Sequence, residues 1–149
     1  MEIPDSIASV LNHKGSDVWS ISPDATVFDA IRLMSEKNVG ALPVMNDDKL
    51  AGIISERDYT RKVILKGKSS KETTVDQIMT TELVTISEHD SVVKSMQLMA
   101  EKRVRHLPVL EGDTIAGIVT IGDLVKWIIS AQGAMIDQLE GYIRGSYPG

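Results

Sequence analysis

The chain contains no cysteine, which removes disulfides, thiolate metal sites, iron–sulfur ligation and cysteine nucleophiles together. Aromatic side chains are nearly as scarce. Two Trp, three Tyr and one Phe among 149 residues make a poor base-stacking platform. Basic charge is outweighed, with 16 Lys and Arg against 21 Asp and Glu for a net charge of −5. That balance disfavours a general nucleic-acid binder, whose affinity comes from neutralising many phosphates at once. Long apolar runs are missing too: stretches such as residues 115 to 119 fall far short of the ~20 residues a membrane helix needs. Glu2 and Asp5 stand where a secretory leader would carry basic residues. The expectation is a cytoplasmic protein with no membrane and no nucleic-acid partner.

What is present is an ordinary globular composition, 42% apolar and 25% charged. A chain of this length buries roughly 70% of its unfolded surface and supports its own core. Small basic clusters, Arg57, Arg61 and Lys62, then Lys102, Arg103 and Arg105, leave room for a small anionic ligand.

The informative feature is an internal repeat. Shifted by 65 residues, Val18 to Ile64 aligns with Leu83 to Ile129 without a gap, and about a third of the positions are identical. Leu33-Met34 falls on Leu98-Met99, Leu42-Pro43-Val44 on Leu107-Pro108-Val109, Ala51-Gly52-Ile53 on Ala116-Gly117-Ile118, and Asp58 on Asp123. Upstream, Ile7 to Leu11 matches Val75 to Met79 at an offset of 68, so three extra residues lie near Lys14 to Asp17, where a loop absorbs them most easily. The implied division is a first copy over 1–66, a polar connector over 67–73, a second copy over 74–130 and a tail over 131–149.

Each copy passes through the same periodicities. Short strands at Ser20 to Ser22 and Val84 to Ile86 precede helical spacing at Val27, Ile31 and Met34, and at Val92, Met96 and Met99. Two apolar runs around a turn follow and predict a hairpin. A second helix then covers Asp58 to Leu65 or Asp123 to Ser130, with Tyr59, Val63 and Ile64, or Leu124, Val125, Trp127 and Ile128, on its buried side. The fold class is α+β, two strand-helix-strand-strand-helix units. Neither unit buries enough area alone, so the two should pack about a pseudo-two-fold axis and enclose a cleft. Met135 or Ile136, Leu139 and Ile143 predict a tail helix with one apolar stripe, suited to packing or dimer contact.

This arrangement, with Leu-Pro-Val opening the second strand, Ala-Gly-Ile in the third and Ser/Thr-x-x-Asp ending it, resembles the tandem cystathionine-beta-synthase (CBS) domain pair over nearly the whole chain. The stretches from Asn38 to Val44, Gly52 to Tyr59 and Arg103 to Val109 carry the likeness most specifically. The run from Ser55 to Thr80 looks like the stand-alone CBS proteins of bacteria and plant mitochondria. The resemblance implies a non-catalytic regulatory module that binds an adenosyl ligand in the cleft: AMP first, or ADP, ATP, NAD or S-adenosylmethionine. It also implies an unidentified regulated protein, and the apolar helical face left on each copy predicts a homodimer through the CBS helices. The alternative is a ligand-free dimerisation or adaptor domain.

On spacing alone, Ser55-x-x-Asp58 and Thr120-x-x-Asp123 read as helix capping boxes. The resemblance adds a second reading, in which Ser55, Asp58, Thr120 and Asp123 receive the ribose hydroxyls; a carboxylate is an acceptor-only group facing two donors. It also implies that phosphate contacts cross between copies. Arg105 and His106 are then assigned to the ligand of Asp58, the histidine gaining protonation from the anion, and Arg57 to the ligand of Asp123. Gly40 and Ala41 leave room there for backbone approach. Val84 and Val104, with Thr80 at the edge, and Trp19 and Val39 with Gly40, are the matched candidates for adenine slots, although core packing is the commoner role for such valines. Arg61 and Lys62 are expected on a solvated face. His13, His89 and His106 are scattered, without a glycine elbow, phosphate loop or ligand cluster, so neither an enzyme nor a metal site is expected.

Overall fold

The structure is a computed structural model that describes residues 6–15 and 17–130; the expected tail helix lies outside them. The first copy comprises helix α1 (Ile7–Lys14), helix α2 (Val27–Lys37), strands β1 (Ala41–Asn46) and β2 (Lys49–Ser55), and helix α3 (Glu56–Tyr59), which widens into a π-helical turn at Thr60–Ile64. The second comprises α4 (Val75–Ile78), β3 (Ile86–Ser87), α5 (Val92–Lys102), β4 (His106–Glu111), β5 (Thr114–Thr120) and a helix, α6, over 121–130. Both classes of element occur in each copy, as the α+β reading expects.

Local chemistry repeats with the sequence. Thr26 caps α2 and Ser91 caps α5, each side chain accepting the backbone N–H three residues on. Both helices end on a left-handed residue, Asn38 at φ 55° and Arg103 at φ 56°. Asparagine tolerates that conformation and arginine does so at a cost. β1 and β2 pair antiparallel with Ala41 opposite Ser55, β4 and β5 with His106 opposite Thr120, and each hairpin carries a register shift at the same place, Val44/Met45 and Val109/Leu110. The leading strands are shorter than expected. The second copy pairs Ile86 and Ser87 parallel to β4 rather than using Val84, and the first reduces to a single bridge from Ile21 to Val44. The second helices also bury less than their spacing predicts, since Ile64 (55%) and Val125 (40%) are exposed, whereas Val63 and Leu124 are fully buried.

The cores do not follow the copy boundaries. Val75 and Ile78 of α4 lie in the core of the first copy with Val27, Ala30, Met34, Leu42, Val44, Ile54 and Val63. Ile7, Val10 and Leu11 of α1 lie in the core of the second with Val92, Met99, Leu107, Val109, Val119 and Leu124. Each copy therefore lends its lead-in helix to the other. The backbone records the same exchange: Val27 donates to Thr73 O and Val75 to Ala25 O, both at 2.8 Å, while Ile7 donates to Asp90 O at 2.9 Å. Thr73, inside the expected connector, is buried, and its hydroxyl donates to Ser69 O at 2.7 Å.

The glycine of each Ala-Gly-Ile segment makes the exchange possible. A Cβ on Gly52 would stand 2.8 Å from both Met79 Sδ and Thr80 O, and one on Gly117 would stand 2.8 Å from Leu11 Cδ2. The intruder differs: in the first copy it includes backbone, in the second only the end of a flexible leucine. Gly52→Ala should therefore cost about 1–3 kcal/mol and Gly117→Ala distinctly less, as read by denaturant unfolding. Equal costs would contradict this account of the exchange.

Candidate functional site

The capping boxes form in both copies. Ser55 N–H and Oγ donate to Asp58 Oδ2 at 3.0 and 3.1 Å, and Asp58 N–H donates back to Ser55 Oγ at 3.2 Å. In the second copy Thr120 N–H donates to Asp123 Oδ2 at 2.8 Å and Asp123 N–H to Thr120 Oγ1 at 3.0 Å. The recurring hydroxyl and acid thus start a helix at each strand end and hold each carboxylate at the rim of a cavity.

The first cavity, about 600 Å³, is lined by Ser55, Arg57, Asp58 and Thr80 together with Val104, Arg105 and His106. Elements of both copies meet here, because β2 ends at Ser55 and β4 begins at His106. Glu56 and Arg103, not singled out from sequence, also line it. Three guanidiniums therefore face two carboxylates, and an anionic group is electrostatically favoured at this mouth. Thr80 is held by a reciprocal backbone pair with Ile53, 2.8 and 3.0 Å, and its hydroxyl donates to Asp58 Oδ1 at 3.3 Å. That places Thr80 at the carboxylate end of the cavity. Val84 is not part of this lining; it packs against the core of the second copy, as a partly buried valine beside a strand does.

The second cavity, about 400 Å³, gathers Trp19, Val39, Gly40, Ala41, Thr120 and Asp123, with His106 reaching it as well. Arg57 does not line it. The residue follows the capping box of its own copy into the Asp58 cavity, because α3 begins immediately after Ser55, and is not among the residues lining the Asp123 cavity for which it was expected. Trp19 stays 41% exposed, with Lys37 Nζ 4.1 Å from its ring centroid. Gly40 and His106 form the wall shared by the two cavities, and a Cβ on Gly40 would stand 3.2 Å from Glu56 Oε1 and 3.4 Å from His106 Nε2.

Two lysines at the carboxylates escaped the sequence reading. Lys62, expected on a solvated face, contacts Asp58 Oδ1 at 3.2 Å and donates to Ile78 O at 2.9 Å. Lys14, expected in a loop, ends α1 and contacts Asp123 Oδ2 at 2.5 Å while donating to Ile118 O at 2.7 Å. The three-residue insertion beside Lys14 was the available signal; it lengthens α1 to eight residues where α4 has four. Among the described residues no group of His, Asp or Glu could hold a metal ion, and no helix is long and apolar enough to cross a membrane.

His106 is held below the ordinary histidine value, first by burial and then by the charge of Lys14, with Asp123 and Glu56 pulling it back up. In the chain alone this is opposite to the gain of protonation expected beside an anion. The unfolded state then binds more protons than the folded one just below about pH 6.5. This group's contribution to stability is present above that pH and is lost as the pH falls through the folded value. An NMR titration should place His106 below an unstructured histidine, and His106→Gln should flatten the acid limb of a stability–pH profile; an unshifted midpoint contradicts the burial argument.

The CBS domain family matches residues 9–64 and 75–130. A CBS domain-containing mitochondrial protein of Arabidopsis thaliana, CBSX3, is 41% identical over 152 residues, covering 95% of this chain and 73% of that protein. A solved CBS-domain crystal structure is 44% identical with a TM-score of 0.81, over 83% of this chain and 97% of the other. A hexameric CBS-CP12 protein from bloom-forming cyanobacteria is 31% identical with a TM-score of 0.72, over 80% and 69% of the two chains.

Proposed function

Because the chain belongs to the CBS-domain family, we propose that it is a non-catalytic regulatory module whose clefts take an adenosine nucleotide, AMP foremost, and convey occupancy to a partner protein. The observation that carries this is the Asp58 cavity, where an acid from the first copy and Arg105 and His106 from the second line one space. The carboxylate suits the ribose hydroxyls, the guanidiniums suit phosphate, and Val104 offers an apolar surface to the base. The excess of cationic groups supports a phosphate grip here rather than beside Asp123.

Coupling to a partner follows from linkage. A ligand that touches both copies favours their closed arrangement, and any protein that prefers this arrangement responds to nucleotide level. His106 joins the response, since phosphate beside it raises its proton affinity; AMP binding should take up protons near neutral pH, with an enthalpy that varies with buffer ionisation.

Thermal denaturation with AMP, ATP, NAD and S-adenosylmethionine tests the reading. A ligand at 100 times its dissociation constant should stabilise by about 2.7 kcal/mol, and Asp58→Asn should abolish that response while the fold persists. No stabilisation by any of the four sinks the proposal.

A second reading, a structural dimerisation domain, draws on the matched exposed residues Phe28 (40%) and Val93 (52%), and Ile64 (55%) and Ile129 (62%). The pseudo-symmetry repeats an apolar patch on each copy, which suits a self-complementary contact between two chains. Phe28→Asp should shift sedimentation from dimer to monomer. A wild-type chain that sediments as a monomer contradicts this interface.

A further inference from the structure

The two capping acids recur by sequence, but only at the second does a lysine that lines the cavity itself contact the acid. Lys14 lines the Asp123 cavity, whereas Lys62, its nearest analogue, does not line the Asp58 cavity and meets its acid from the side of the helix, i to i+4. The strand edge differs in the same way. At Ile53 the backbone carbonyl accepts from Thr80 N–H, but at the matching Ile118 the carbonyl accepts from Lys14 Nζ. The ammonium therefore holds both the carboxylate and the neighbouring carbonyl at the place where a sugar would have to bind.

We infer that Lys14 is a built-in plug that denies the Asp123 cavity to a nucleoside, so that each chain takes one nucleotide, at Asp58. This rests on the nucleotide-binding reading above and adds what that reading leaves open, the number and identity of occupied sites. Neutral ribose hydroxyls must displace an ammonium already in contact with Asp123, which exchanges an attraction between two full opposite charges for hydrogen bonds in which only the acceptor is charged. The plug is placed by the exchange of lead-in helices. α1 packs in the second core through Ile7, Val10 and Leu11, and its additional turn, absent from α4, delivers Lys14 to Asp123.

Calorimetric titration with AMP reads the number of sites. The wild-type chain should bind one AMP, Lys14→Met should bind two, and Lys14→Arg, which keeps the charge, should remain at one. Affinity at the second site should rise about tenfold or more when the charge is removed. In the Lys14→Met background Asp58→Asn should leave one site, whereas in the wild-type background it should leave none. The His106 midpoint, followed by NMR without nucleotide, should move up in Lys14→Met because a nearby positive charge is gone. A wild-type chain binding two AMP, or a Lys14→Met chain still binding one, overturns the plug alone. Absence of binding in every variant overturns the nucleotide reading and the plug with it. Circular dichroism and melting of each variant verify that the fold is retained.

Discussion

The structure depends on the insertion of each copy's lead-in helix into the core of the other. A three-stranded or two-stranded sheet covered by short helices buries too little apolar area to stand alone. Here Leu42, Val44 and Ile54 are completed by Val75 and Ile78, and Leu107, Val109 and Val119 by Ile7, Val10 and Leu11. Opening the cleft completely would strip each core of part of its lining, so folding and the pairing of the copies are one process. The glycines at 52 and 117 provide the close approach, which is why the small residue recurs in the middle of a strand where it otherwise weakens the element.

The same exchange builds the cleft. Once β2 and β4 are brought together, the capping acid of α3 and the basic start of β4 come to line one cavity. Capping and ligand contact are compatible uses of the same carboxylate. Asp58 directs Oδ2 to Ser55 and Oδ1 towards Thr80 and Lys62, and a carboxylate has further lone pairs for hydroxyl donors. Burial of His106 between the cavities, against Gly40, gives the two spaces a common wall and hence a route by which the charge in one is felt in the other.

Much of this was legible in the residues. The offset of 65 carried the repeat, the hairpins and both capping boxes, because strand and helix signals are local and are written twice. Asp58 with Arg105 and His106 in one cavity followed from the family resemblance, since no local pattern states which copy's cation meets which acid. The failures have physical causes. Val84 reads like a slot residue by matching position, but packs against the core of the second copy; Arg57 sits one residue from Asp58 and lines the cavity of its own copy; Ile64 has helical spacing but lies exposed at the π-helical turn, and Val125 is exposed beside the fully buried Leu124.

The sequence by itself determined the number of copies, the order of elements and the capping boxes that start the second helix of each copy, because those depend on neighbours a few positions apart. Which core a lead-in helix completes, and therefore that Lys14 reaches Asp123 across 109 positions while Thr80 reaches Asp58 across 22, was decided only by tertiary structure. Two halves alike in pattern become unlike in chemistry when an insertion lengthens one helix by a turn, and that turn acquires meaning only once packing has set where its end arrives.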